Sequence, residues 1–293
     1  MKHHKILSCI LAIFLFICLT PLNVRADIGP KPSVTITVDG VEDGVVYYAT
    51  LLSEKKSTGP ASAYDGNYAR YDSTDEEYDI WKKFVEYEDS DGYYFLQEFW
   101  ECSGNDSFRW GYFPPTPFKI LLYFPEYDSF AVSNIYNRYA FDTYYAADLE
   151  GVDIRSAGAG EELELIRVRK NYDHTWEVVS LLARIVLTIL VELVIALLFG
   201  LRMKNQLLFL TVCNVLTQVA LNVLLNVINY NKGQWAFTFY YVLMEFAVFA
   251  IEAVAYKMVL ETAPKRLVAY AFVANAVSFV IGLWLAHIIP GIF

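Results

Sequence analysis

Four charged residues, Arg184, Glu192, Glu245 and Glu252, interrupt long apolar runs in the second half of this 293-residue chain. Charges in such surroundings are expensive and are kept where they pair, bind or carry something. Each belongs to a polar stripe at helical spacing. Arg184, Thr188 and Glu192 recur every four residues, and Asn214, Gln218, Asn222 and Asn226 repeat that interval. Glu245 and Glu252 stand seven apart, flanked by Tyr241 and Tyr256, while Asn275, Ser278, Gly282 and Ala286 mark one side of the last run. Residues at these intervals share a helix face. Polar faces turned to lipid are penalised, so the four stripes are expected to converge on a common interior. Gly282 and Ala286 would let neighbouring helices approach closely there.

Depth sorts the charges. At about 1.5 Å of rise per residue, Arg184 lies roughly 10 Å and Glu245 roughly 15 Å below the outer ends of their helices, so the two can pair. Glu192 and Glu252 fall at about 22 and 25 Å, nearer the inner face. One guanidinium therefore faces three carboxylates, and arginine stays charged. The inner pair then takes up protons, holds a cation between its members, or meets water from the inner side. Asn and Gln ladders also serve simply as hydrogen-bonding glue between helices.

Catalytic signatures are missing from this half of the sequence. It has no His-Glu-x-x-His, no paired Glu-Glu with a downstream Arg, no Gly-x-Ser-Gly and no Cys-x-x-Cys, and His287 is an isolated imidazole. Metal-dependent proteolysis, serine proteolysis and thiol redox chemistry lose their usual groups, no nucleotide-binding glycine loop stands in for them, and the reading leans away from an enzyme.

A second candidate site lies in the first half. Asp89-Ser90-Asp91-Gly92, with Glu98 six residues after the glycine, resembles part of a calcium loop, which wants oxygen ligands at positions 1, 3 and 5, glycine at 6 and glutamate at 12. Position 1 is Tyr87, which offers no carboxylate, so a tight turn is the competing reading. Tyr93, Tyr94, Phe99, Trp100, Trp110, Tyr112 and Phe113 crowd the same region, where they either fill a core or stack on a ligand. His174 is the only histidine between residues 27 and 175, so no Ser-His-Asp set forms.

The elements that must position these residues follow from composition. Residues 27–175 hold 28 Asp/Glu against 13 Lys/Arg, whereas residues 176–293 hold 5 against 7. An acidic block fused to an apolar one implies two domains in two solvents. The acidic block excludes nucleic acid as a partner, since phosphate binding needs clustered Lys and Arg. A basic start, an apolar run from Ile6 to Leu19 and Val24-Arg25-Ala26 read as a secretory signal peptide over residues 1–26. Its removal leaves Cys102 and Cys213, one in each block, so no intrachain disulfide is expected.

For residues 27–175 alternating apolar and polar residues predict strands at 33–38, 44–52, 93–101, 118–124, 129–134, 138–148 and 162–169. The first two, separated by Asp39-Gly40, read as a hairpin. Ser73-Thr74-Asp75-Glu76 resembles a capping box opening one helix, with Ile80, Trp81, Phe84 and Val85 as its apolar face and Gly92 as its stop. Short strands at intervals of roughly ten residues point to an immunoglobulin-like β-sandwich with one inserted helix.

Residues 176–293 predict an all-α four-helix transmembrane bundle with spans 177–201, 205–228, 235–256 and 267–289, each near the roughly 20 residues that cross a hydrocarbon core. A cleaved signal peptide puts residues 27–175 and the C-terminus outside the cell membrane. The loops then carry Arg202, Lys204, Lys257, Lys265 and Arg266 inside but only Lys232 outside, in keeping with the positive-inside rule. Together these features predict a non-enzymatic multi-pass protein of a bacterial cell envelope, with an extracytoplasmic recognition or sensing domain on a polar-cored membrane bundle. Its partners would be the lipid bilayer and another membrane protein or a second copy of itself. The alternative is a proton- or cation-coupled transport component using the Glu/Arg cluster. An intramembrane enzyme acting on a lipid-linked substrate ranks third. Calcium at Asp89, Asp91 and Glu98 is the one cofactor the residues suggest, and the ligand of the outer domain is not encoded in any motif.

Overall fold

The computed structural model describes residues 29–156, 162–165 and 167–288. The expected signal peptide and the C-terminal residues 289–293 lie outside the described residues. The described chain forms two compact units, Pro30–Tyr172 and a second beginning at Asp173.

The first unit is β-rich. Eleven strands are described: β1 (Ser33–Asp39), β2 (Val46–Ser53), β3 (Ser57–Thr58), β4 (Ala61–Ser62), β5 (Trp100–Ser103), β6 (Ser107–Trp110), β7 (Phe118–Phe124), β8 (Ser129–Ser133), β9 (Asp142–Asp148), β10 (Glu162–Leu165) and β11 (Arg167–Lys170). They form a four-stranded sheet in the order β11-β9-β1-β6, a five-stranded sheet in the order β10-β8-β7-β2-β5, and the β3-β4 ribbon. Both large sheets are mixed, with β1 parallel to β9 and β10 parallel to β8. An immunoglobulin-like sandwich consists of antiparallel sheets, so the pairing observed here departs from that expectation.

The expected hairpin of β1 and β2 does not form, because the two strands enter different sheets. Gly40, at φ +81°, turns the chain from one sheet to the other, and a Cβ there would lie 2.6 Å from the Glu150 backbone nitrogen. The predicted strand 162–169 likewise divides into β10 and β11, which join opposite sheets. Much of 93–101 is irregular, with a single bridge from Tyr94 to Ser53.

One hydrophobic core takes residues from both sheets, including Val34, Ile36 and Val38 from β1 and Ile120, Leu122 and Phe124 from β7. Strand β7 is buried along its whole length. Its other face, through Leu121 and Tyr123, packs with Trp81 and Phe84 of helix α1 (Tyr78–Glu86). Helix cover on the second face explains why this strand reads as a continuous apolar run instead of alternating. The capping box does not form: Glu77 occupies the N-cap without a side-chain bond, and Asp72 and Asp75 instead bond within their own turn.

The second unit consists of helices α2 (Thr175–Leu198), α3 (Lys204–Lys232), α4 (Gln234–Val259) and α5 (Pro264–Ile288). Three helical segments, Thr175–Leu198, Lys204–Lys232 and Pro264–Gly282, are long and apolar enough to cross a membrane. Helix α4, which carries Glu245 and Glu252, is not among them. Adjacent pairs pack α2 on α3, α3 on α4, α4 on α5 and α5 back on α2. At one end, Arg266 donates to the Phe199 carbonyl beside Gly200, and Gln206 Nε2 donates to Thr262 Oγ1 at 3.2 Å. At the other end, α3 and α4 turn tightly at Gly233, whose φ is +82°.

Candidate functional site

The helical unit differs from a water-soluble bundle, whose outer face is polar: apolar side chains lie on both sides, with Leu210, Leu221, Leu225, Met244 and Val248 among the buried ones. Leu182, Val186, Leu190, Val194, Leu216, Val223, Phe246, Phe272 and Val280 are exposed. All ten residues of the predicted polar cluster are buried: Arg184, Thr188, Glu192, Asn214, Gln218, Asn222, Glu245, Glu252, Asn275 and Ser278. Asn226, from the same stripe, is only half-buried.

The polar interior has two layers. In one, Arg184, Thr188, Gln218, Tyr241, Glu245, Ser278 and Gly282 line a small cavity with room for about one water molecule. The Arg184 guanidinium donates to Asn222 Oδ1 at 3.2 Å and lies over the rings of Phe237 and Tyr241, 5.3 and 5.4 Å from their centroids. Tyr241 is also a side-chain hydrogen-bond partner of Glu245. A Cβ at Gly282 would lie 3.5 Å from the Tyr241 hydroxyl, an ordinary contact that an alanine could make. Arg184 and Glu245 thus line one cavity.

The other layer gathers Glu192 from α2, Asn214 and Thr217 from α3, Glu252 and Tyr256 from α4, and Tyr270 and Asn275 from α5. Asn214 Nδ2 donates to Glu192 Oε2 at 2.7 Å and to the Tyr256 hydroxyl at 3.2 Å. Glu252 accepts from Thr217 Oγ1 at 2.6 Å and from Asn275 Nδ2 at 2.7 Å, and Tyr256 reaches it as well. Tyr270 donates to the Glu192 backbone carbonyl at 3.3 Å. A single network therefore joins the two inner carboxylates, whose side chains are all but sealed from solvent at 1 and 0% exposure. Thr217 and Tyr270 were not anticipated. The signal for Thr217 was its position three residues after Asn214 on the same helix face; Tyr270 has no such marker.

In the β-rich unit the acidic loop has a different role from the one its spacing suggested. Lys119 of β7 donates to Asp89 Oδ1 at 2.7 Å and to Asp91 Oδ2 at 2.5 Å, with 4% of its side chain exposed and Asp89 fully buried. Asp89 Oδ2 also accepts from the backbone nitrogens of Asp91 and Tyr93, closing a turn with Gly92 at φ +75°. Glu98 points elsewhere and pairs with Arg70. The lysine ammonium is thus the cation paired with both aspartates, and among the described residues no three His, Cys, Asp or Glu gather as metal ligands. Burial pulls the Lys119 pKa down, but the hydrogen bonds it donates to both aspartates outweigh it and hold the amine above its usual value.

Most of the singled-out aromatics are structural. Phe99 packs with Phe84, and Trp100 with Phe108 and Trp110, leaving Tyr94, Tyr112 and Phe113 exposed. Burial, reinforced by the Asp106 charge, raises the Cys102 thiol to about 11, which leaves it protonated at neutral pH. Gln97 is a further buried polar residue that spacing did not reveal. It accepts from the Arg70 backbone and from Trp81 Nε1, and donates to the Ser62 and Tyr68 carbonyls. No protein-family model, curated protein or solved structure matches this chain.

Proposed function

We propose that the chain is a non-enzymatic multi-pass protein of a bacterial cell membrane, with the β-rich unit outside and helix α4 crossing alongside the other three. The observation that carries this reading is the apolar outer surface of all four helices around a partly polar interior. Aliphatic and aromatic side chains face outward, while every residue of the predicted polar cluster faces the interior. Such a surface suits acyl chains, and α4 contributes two carboxylates that need the other helices around them. The acidic β-rich unit, with Tyr94, Tyr112 and Phe113 on its surface, would recognise an extracytoplasmic ligand. Because the loops on the opposite side are short, a signal would pass to a partner within the membrane. Single-cysteine labelling in intact cells tests the threading: Ser57→Cys should react with an impermeant maleimide and Arg202→Cys should not. Affinity capture from detergent extract tests the partner, and recovery of the protein alone would overturn that part.

A second reading, ion-coupled transport, is favoured by the Glu192–Asn214–Tyr256–Glu252 network, which places two acids together in the interior of the bundle. Four helices are few for a pathway, so this reading calls for a dimer. Glu192→Gln and Glu252→Gln should then abolish ion uptake by the protein in liposomes. Unchanged uptake would retire it.

A further inference from the structure

The inner layer of the helical unit has more hydrogen-bond acceptors than donors. Glu192 Oε1, Asn214 Oδ1 and Asn275 Oδ1 are buried and have no hydrogen-bond partner. The three residues are between 1 and 2% exposed. Both amide groups are oriented the same way, spending their N–H donors on the carboxylates and on the carbonyls of Leu210 and Ala271, which leaves their oxygens unmatched. Unmatched buried acceptors are costly. The remaining titratable groups around this layer are Cys213 on α3, Tyr256 on α4 and Tyr270 on α5, none of them cationic. Arg184, the one cation among the buried residues of these helices, lies in the adjoining layer with Glu245. Two carboxylates are therefore left without a balancing charge. Water could satisfy the orphaned acceptors, but the two acids would still need protons or a cation to be neutral.

We propose that Glu192, Asn214, Glu252 and Asn275 form an oxygen-ligand site for one hard divalent cation of the magnesium or calcium kind. Two carboxylates and two amide oxygens are the ligand type such ions prefer, the rest of a shell of roughly six or more falling to water or backbone carbonyls, and two ionised carboxylates would match its charge. Lacking thiolate and imidazole, the set does not suit the softer transition metals. The proposal rests on the bundle arrangement above but not on transport, since a bound ion can be purely structural.

The test uses the purified full-length protein in detergent, stripped with a chelator. Thermal unfolding is followed as magnesium or calcium chloride is added, against sodium and potassium chloride at matched ionic strength and fixed pH. At a hundredfold excess over the dissociation constant, a divalent ion should raise the midpoint by roughly 5–10 °C. Glu192→Gln and Glu252→Gln should each weaken that response at least about tenfold. A divalent response that survives both variants would place the ion elsewhere, in the acidic β-rich unit, and overturn the proposal. So would a response to sodium alone, or a stability that follows pH and no metal. Should either variant fail to fold, Asn275→Asp, which keeps the shape and adds a carboxylate, should tighten divalent binding; unchanged or weaker affinity would overturn the assignment. Divalent binding without uptake in liposomes would remove the transport reading while leaving the site.

Discussion

Replacing Lys119 with methionine should be among the most damaging single changes in the β-rich unit. The lysine is sealed between Asp89 at 2.7 Å and Asp91 at 2.5 Å. At 2.7 Å and an effective dielectric near 20, the Asp89 contact alone corresponds to about 6 kcal/mol of attraction before desolvation is subtracted. Breaking a buried pair by removing one partner typically costs about 3–5 kcal/mol, because the survivor is left charged and uncompensated. Asp89 would keep its two backbone donors, which points to the lower end, about 3 kcal/mol. For a domain of this size that corresponds to a fall in melting temperature of roughly 6–12 °C. Circular dichroism at a strand wavelength reads it directly. Asp91→Asn should cost under about 1 kcal/mol, since Asp91 is largely exposed. Lys119→Met combined with Asp89→Asn should recover part of the loss. If Lys119→Met proved as mild as Asp91→Asn, the idea of a sealed charge pair at this loop would be wrong. The pH dependence has a defined sign. The Lys119 amine is held above its usual value when folded, so its stabilisation is fully present below about pH 10.4. It is lost as the pH rises through the higher folded value.

Three further changes probe other parts of this unit. Phe84→Ala should destabilise by about 3–5 kcal/mol, since the ring is fully buried between α1 and β7 and stacks on Phe95; a loss below about 1 kcal/mol in urea unfolding would contradict that packing. Gly40→Ala should cost at least about 1–3 kcal/mol, combining positive φ with a clash against the Glu150 backbone; a wild-type melting temperature would exclude the proposed turn. The Lys83 side chain, followed by the Tyr123 hydroxyl, holds the Asp128 carboxyl below its usual pKa. The resulting stabilisation is present above about pH 4 and disappears as the pH falls through the lower folded value. Lys83→Met should therefore flatten the acid limb of the stability profile, and an unchanged limb would rule this linkage out.

The helical half was the more legible because an apolar solvent imposes strong rules on it. Each helix must be long, and each polar side chain needs company, so spacing alone identified ten residues that the fold buries. Depth was worked out for the four charges alone, and Thr217 and Tyr270 needed the packed helices to become visible. In the β-rich half, local pattern located strands without saying which strand each would meet. Phe118–Phe124 and Ser129–Ser133 stood out as dense apolar runs. Ser107–Trp110 was overlooked because four residues with an arginine among them carry little alternation. Asp39-Gly40 signals a turn in either a hairpin or a change of sheet, and local sequence does not distinguish the two. The acidic loop suited either a turn or a calcium pattern, and its observed partner, Lys119, stands thirty residues from Asp89, beyond the reach of local spacing.

The cross-links between Arg266 and Phe199 and between Gln206 and Thr262 hold the α2–α3 and α4–α5 connections together at one end of the helical unit. At the opposite end α3 and α4 are joined by the short turn at Gly233, and His174 at the start of α2 stacks on Tyr230 of α3. Any spreading of α2 from α5 would accordingly pivot about the arginine clasp, as the arms of tongs do about their rivet. Of the two polar layers, the one holding Arg184 and Glu245 lies farther from that clasp, and the inner acids lie nearer to it.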